Sequence, residues 1–265
     1  MPEFETIRYA AADDHIARIT LARPDKRNAM NAVMFRELGD AAQQAADDHD
    51  VWAVLVAAEG PVFCAGIDLT IVGELGPNAA GDGFKGFGQM AQRPFRILAS
   101  MTKPTVAAVQ GHAVGAGCQL ALACDLRIAS SDARLGIFEP KYGLIPDLGG
   151  IHHLTRIVGS ARTKDIVWTT RLVEAEEAER LGLVNRVVAW ESLAKEADQL
   201  LGEILAHPPI VIRESKHLIG EAVGRSLFEE MEAELDAQQR CLTSPDNAEA
   251  VASTFERRPP HYTGR

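Results

Sequence analysis

Residues 103–130 read KPTVAAVQGHAVGAGCQLALACDLRIAS, and the order of patterns inside this stretch sets the fold class. Pro104 to Val109 is a continuous apolar run of strand length, closed by a Gly-rich turn. Ala116 to Cys124 is a short helical segment of mostly small apolar residues, and Asp125 to Ala129 returns to strand character. Strand, turn, helix and strand in succession describe an α/β domain. In such domains, turns at the C-terminal ends of strands are where ligands bind.

Working toward the N-terminus, His15 to Leu21 reads as a strand that Arg23, Pro24 and Asp25 break. Asn31 then caps a helix in which Met34, Leu38, Ala41 and Ala45 form one apolar stripe, and Val51 to Ala57 follows as a buried strand. From Gly60 to about Gly88, Gly73, Gly76, Pro77, Gly81, Gly83 and Gly86 predict a loop, either a binding lid or plain solvent-exposed slack. Beyond Ser160 the character is helical. Ser226 and Glu229 form a capping box ahead of Leu227, Met231 and Leu235, and Ser244-Pro245 starts a helix carrying Ala248, Val251 and Phe255. The chain therefore divides into an α/β core, 1–189, and a helical C-terminal region, 190–265. Periodicity does not decide whether that region packs on the core or on another subunit.

A chain of 265 residues with 46% hydrophobic content buries a large core. Its charge of -10, from 27 Lys+Arg against 37 Asp+Glu, argues against nucleic acid or an anionic membrane as partner. A small anionic ligand stays compatible, because local cations and helix N-termini bind phosphate on acidic proteins. The acidic start MPEFETIRYA and the lack of a long apolar run support neither a signal peptide nor a membrane span. Cys64, Cys118, Cys124 and Cys241 form no CxxC pair, which suits reduced thiols and a cytoplasmic protein.

Two Gly-containing turns follow strands: FCAGIDL at 63–69 and QGHAVGAGCQ at 110–119. Small residues there let a ligand approach backbone N–H groups, and a helix starting near Ala116 aims its free donors at that ligand. Two such donors could share one developing oxyanion. The spacing of Gly111, Gly115 and Gly117 alone leans instead toward tight helix–strand packing. The 110–119 segment departs from GxGxxG and from the P-loop pattern, no GxSxG, HExxH or CxxC occurs, and the adjacent His152-His153 pair fits a surface role better than a metal site.

Four runs, FCAGIDL, residues 103–130, LGIFEPKYGLIPDLGG (135–150) and SPDNAEAVASTFERRPP (244–260), resemble the crotonase (enoyl-CoA hydratase/isomerase) family in order and spacing. The resemblance covers nearly the whole chain and is weakest between Ile71 and Arg96. It implies a crotonase-like spiral of ββα repeats with a helical C-terminal trimerisation region, assembling as a homotrimer or a dimer of trimers. It also implies an acyl-CoA thioester as substrate, with coenzyme A part of that substrate and no metal or redox cofactor.

By motif position, the resemblance puts the thioester oxygen between the N–H groups of Ala65 and Ala116, with Gly66, Asp68 and Gly115 in the substrate-facing turns. Arg23, Lys26 and Arg27 fall where the family binds CoA, although a solvated basic turn explains them equally. Hydratases of the family usually carry two glutamates that grip water. Here the first place is Gln119 and the second is Glu139, while Asp147 falls where several isomerases of the family carry an acidic group. Gln119 positions water but exchanges no proton, so double-bond isomerisation is favoured over hydration. A third reading is a catalytically weak CoA-ester-binding or scaffold protein. Asp147 could also cap the helix beginning near Gly149, and Glu139 could be a buried ion-pair member.

Overall fold

A computed structural model describes residues 4–71 and 82–264. Its centre is a six-stranded sheet in the order β1-β2-β3-β4-β6-β9. The strands are β1 (Ile7–Ala11), β2 (Ile16–Leu21), β3 (Ala53–Ala58), β4 (Thr105–Val109), β6 (Leu126–Ser130) and β9 (Arg186–Val188). Only β1 runs antiparallel to its neighbour. A parallel sheet is covered on both faces, which is why β4 is buried at every residue and reads as an unbroken apolar run.

Alternation assigns the faces. Val54, Val56, Ala107 and Val109 point into the larger core, against helix α1 (Ala32–Asp47) and helix α2 (Asp82–Ser100). Ala53, Leu55, Val106 and Ala108 point to the opposite face. There helix α7 (Leu193–Leu205) covers them with Leu193, Ala197, Leu200 and Leu201. Asn31 caps α1 as its sequence predicts, its Oδ1 accepting the Met34 N–H at 2.9 Å.

A second sheet, β5 (His112–Val114), β7 (Arg134–Gly136) and β8 (Val173–Glu174), stands beside the first. Helix α3 (Ala116–Ala123) starts two residues after β5 and is buried along its whole length. Helices α4 (Gly150–Val158), α5 (Ser160–Thr169) and α6 (Ala175–Arg180) follow before β9.

The loop expected from Gly60 to Gly88 is corrected in its last part. Helix α2 begins at Asp82 and runs through Gly86, Gly88 and Pro94. Phe87, Met90, Ala91, Phe95 and Leu98 recur on one side of it and join the core beside α1. Tertiary burial of that stripe outweighs the helix cost of about 1 kcal/mol per glycine. Residues 72–81 of that loop lie outside the described residues.

After α7 come α8 (Pro209–Glu221), α9 (Leu227–Leu242) and α10 (Pro245–Glu256). The Ser226–Glu229 capping box is present. Helix α9 buries only Ala237, while Leu227, Phe228, Met231 and Leu235 are each more than half exposed. Among the described residues, no helix is long and apolar enough to cross a membrane. Cys64, Cys118 and Cys124 are free and buried, and burial pushes each thiol up to about 12.

Candidate active site

The two Gly-containing turns meet side by side. The Cys64 N–H donates to the His112 carbonyl and the Val114 N–H to the Cys64 carbonyl, both at 3.0 Å. A Cβ added at Gly117 would come within 2.5 Å of the Cys64 oxygen, so only glycine lets the start of α3 lie this close to residues 63–67. The packing reading of that glycine is therefore correct. Gly115 serves a different end: its φ of 55° and ψ of -123° turn the chain into α3. Ala116, the first residue of α3, has no intrahelical acceptor for its N–H, and none of the described residues takes it.

The expected partner donor needs correcting. The Ala65 N–H is already committed, donating to the Arg27 carbonyl at 2.9 Å. Met30 brackets the next peptide: its N–H donates to the Gly66 carbonyl at 2.8 Å, and its carbonyl accepts the Asp68 N–H at 2.9 Å. In an extended segment alternate N–H groups face opposite ways. Ile67 therefore turns its N–H away from Met30, and no described residue accepts it. A Cβ built at Gly66 would stand 3.8 Å from the Ala116 nitrogen, so the free donors of Ile67 and Ala116 border one junction.

Glu139 opens a 3-10 turn, Glu139–Tyr142, and lays its carboxyl against Gly115. A Cβ at Gly115 would lie 3.3 Å from Glu139 Oε1, so a side chain there would crowd the carboxyl. Gln119, fully buried on α3, donates from Nε2 to Glu139 Oε1 at 2.7 Å. Its own Oε1 accepts the N–H of Leu148 at 2.9 Å and of Gly150 at 3.0 Å. The second carboxyl oxygen, Glu139 Oε2, is buried and has no partner among the described residues. Burial pushes the Glu139 carboxyl above its ordinary value and the charge of Asp147 adds to that rise, against the opposing pull of its hydrogen bonds, the Gln119 bond among them.

Glu139 is thus hydrogen-bonded to an amide and is no member of a buried ion pair. Asp147 lies on the solvent-open rim of the same loop, with its carboxyl pushed up by partial burial. Its carbonyl accepts Gln92 Nε2 of α2 at 2.7 Å. It does not cap α4, whose N-cap is Gly149 and carries no side-chain bond.

On the basic turn, Arg23 pairs with Asp68 at 3.1 Å, so these two expected substrate contacts are spent on each other. Lys26 and Arg27 are exposed, and neither side chain has a partner among the described residues. Sequence reading missed Asn28. Fully buried, it accepts the Arg23 N–H through Oδ1 and donates to the carbonyls of Glu59 and Val62, docking residues 23–28 onto 59–62. An Asn closing the charged turn RPDKR was the available signal, and its φ of 55° lies in the left-handed region that Asn tolerates.

Among the described residues, no group of three or more His, Cys, Asp or Glu could hold a metal ion. Burial lowers the His153 imidazole to about 4, and its ring meets that of His152 edge-on. A crevice of about 1020 Å³, lined by residues such as Arg127, His153, Arg156 and Lys216, does not include Glu139.

Fold and site together define an enzyme of crotonase-like α/β architecture. The chain belongs to the enoyl-CoA hydratase/isomerase family, whose profile matches residues 11–265. It is 34% identical over 254 residues to a crotonyl-CoA hydratase of Syntrophomonas wolfei subsp. wolfei, covering 96% of each chain. The crystal structure of a putative enoyl-CoA hydratase from Streptomyces coelicolor A3(2) superposes with a TM-score of 0.92 at 30% identity, covering 100% of this chain and 96% of that one. A putative enoyl-CoA hydratase from Thermobifida fusca YX, solved in complex with CoA, is 37% identical, with a TM-score of 0.84 over 89% of this chain and 93% of that one.

Proposed function

We propose that this chain binds an enoyl-CoA thioester with its carbonyl oxygen between the N–H groups of Ile67 and Ala116, and that Glu139 moves the proton. Free donors at the start of a buried helix are preorganised for an enolate oxygen. The uncommitted Glu139 Oε2 is the atom that takes a proton from one carbon and returns it to another, and its raised pKa suits both halves of that exchange. Coenzyme A enters as part of the substrate. The complex of the Thermobifida relative with CoA supports that class of ligand, and the exposed Lys26 and Arg27 are the cations left to meet its phosphates.

Double-bond isomerisation is the favoured reaction, with Asp147 as an auxiliary acid on the rim. One observation carries it. The Gln119 carbonyl is filled by two backbone N–H groups and its amide donates to Glu139, so Gln119 has no acceptor left for the proton of an attacking water. Water addition is the second reading, favoured by the hydratase names of the relatives. Incubating 2-enoyl- and 3-enoyl-CoA thioesters in deuterated water separates the two by mass. Bond migration with label uptake is expected; faster water addition overturns the preference, and no turnover at all favours a non-catalytic CoA-ester binder.

The exposed apolar side chains of α9 support a trimer or dimer of trimers in which the helical C-terminal region covers them with a second copy of this chain. The free, buried thiols of Cys64, Cys118 and Cys124 support a cytoplasmic location as part of this reading.

A further inference from the structure

One ion pair ties the basic turn to the donor turn. Arg23 Nη1 lies 3.1 Å from Asp68 Oδ2, and both side chains are only 18% exposed. Arg23 also donates to the Ala29 carbonyl, and the buried Asn28 holds its backbone N–H at 2.9 Å. The other carboxyl oxygen, Asp68 Oδ1, accepts the Thr70 N–H at 3.2 Å and the Thr70 hydroxyl at 2.9 Å. Both partners are therefore committed inside the protein.

Asp68 directly follows Ile67. Its N–H and the Gly66 carbonyl are the two ends of the bridge to Met30, so the Ile67 peptide is clamped by backbone on both sides. The Arg23 pair adds a side-chain anchor one residue further on, and Asn28 fixes the turn that carries Arg23. The contacts from Asn28 through Arg23 thus reach the Asp68 side chain, one residue from Ile67.

We propose that Arg23 and Asp68 are positioning residues: their ion pair holds the Ile67 N–H in the orientation that meets the thioester oxygen, and neither side chain contacts CoA. This inference rests on the oxyanion reading above. Hydrogen-bond strength falls steeply with misalignment, and an enolate oxygen gains more from an aligned donor than a ground-state carbonyl does. Loosening the pair therefore lowers kcat more than it raises KM. An arginine that gripped a CoA phosphate would do the reverse, raising KM and leaving kcat alone.

The test compares Arg23→Gln, Asp68→Asn and the double variant, with folding checked by circular dichroism. It measures kcat and KM on the enoyl-CoA that the wild type turns over, and the infrared stretch of the thioester carbonyl in bound butyryl-CoA. A missing oxyanion donor costs about 100-fold or more, so a misaligned one should lower kcat by about 10-fold with KM moving less. The double variant should be no worse than the poorer single, because both remove one interaction. The downward shift of the bound carbonyl stretch should shrink in all three. Asp68→Asn keeps the Thr70 bonds, so it remains informative if Arg23→Gln does not fold. Folded variants with raised KM but unchanged kcat and carbonyl stretch overturn the inference, as do fully additive losses. If wild-type protein itself leaves the butyryl-CoA carbonyl unshifted, the oxyanion reading fails first.

Discussion

Gln119 Nε2 donates to Glu139 Oε1 at 2.7 Å while Gln119 Oε1 accepts two backbone N–H groups, so the amide orientation is set by its surroundings. Gln119 thus bridges Glu139 to the loop that carries Asp147, and in the proposed reading it positions both. Truncating it leaves the N–H groups of Leu148 and Gly150 unpaired in a buried site. Gln119→Ala should therefore destabilise the fold by about 2–5 kcal/mol through lost hydrogen bonds and the cavity. Denaturant unfolding checks this, and a loss under about 0.5 kcal/mol, typical of surface substitutions, would remove the bracket role.

Glu139→Gln keeps the shape and removes the proton carrier. Turnover should fall about 100-fold or more. Stability should move the other way. A carboxyl with a raised folded pKa stabilises most fully below its unfolded value of roughly 4.3 and loses that contribution as pH rises through the folded pKa. The neutral amide avoids that loss, so thermal unfolding at pH 8 should occur at higher temperature in Glu139→Gln than in wild type. The difference should disappear near pH 4.

The same shift sets the pH profile. Proton abstraction needs ionised Glu139, so the acid limb of kcat/KM should lie above the ordinary carboxylate range. Asp147→Asn removes a negative charge that raises the Glu139 pKa and should move that limb to lower pH while reducing bond migration. A wild-type limb at the ordinary glutamate value would separate Glu139 from the rate.

Restoring a carboxylate at 119 brings two acidic oxygens to hydrogen-bond distance, so they should share one proton and titrate as a coupled pair. Gln119→Glu should raise hydration of crotonyl-CoA over the pH range in which the pair holds that proton. Product analysis by chromatography decides it: unchanged water addition would show that Gln119 does not limit hydration.

Ile67→Pro deletes the free N–H, and kcat should fall by about 100- to 1000-fold, whereas Ile67→Ala keeps the donor and most of the rate. Equal loss in both variants would assign the effect to packing of the side chain. For assembly, Phe228→Asp with Leu235→Asp on α9 should shift sedimentation to monomer, while an unchanged trimer would place the interface elsewhere.

Much of this was legible in the sequence, because the patterns involved are local. The apolar run of β4, the Asn31 cap, the Ser226–Glu229 box and the small residues at 115–117 each follow from neighbours a few positions apart. The four ordered motifs carried the family, and sequence reading named Glu139, Asp147 and Gln119 as candidates, of which the fold brings Gln119 and Glu139 within 2.7 Å.

Tertiary structure alone decided the rest, since each remaining question depends on a distant partner. Whether Ala65 or Ile67 offers a free N–H is set by pairing with Arg27 and Met30 and by the turn between them at Gly66, whose φ is 98°. Arg23 is a partner of Asp68, 45 positions away, while Lys26 and Arg27 stay exposed. Helix α2 forms among glycines because its apolar face meets α1. Composition and spacing specify which groups a turn contains; only the contacts across the fold determine which of them remain unpaired and open to a ligand.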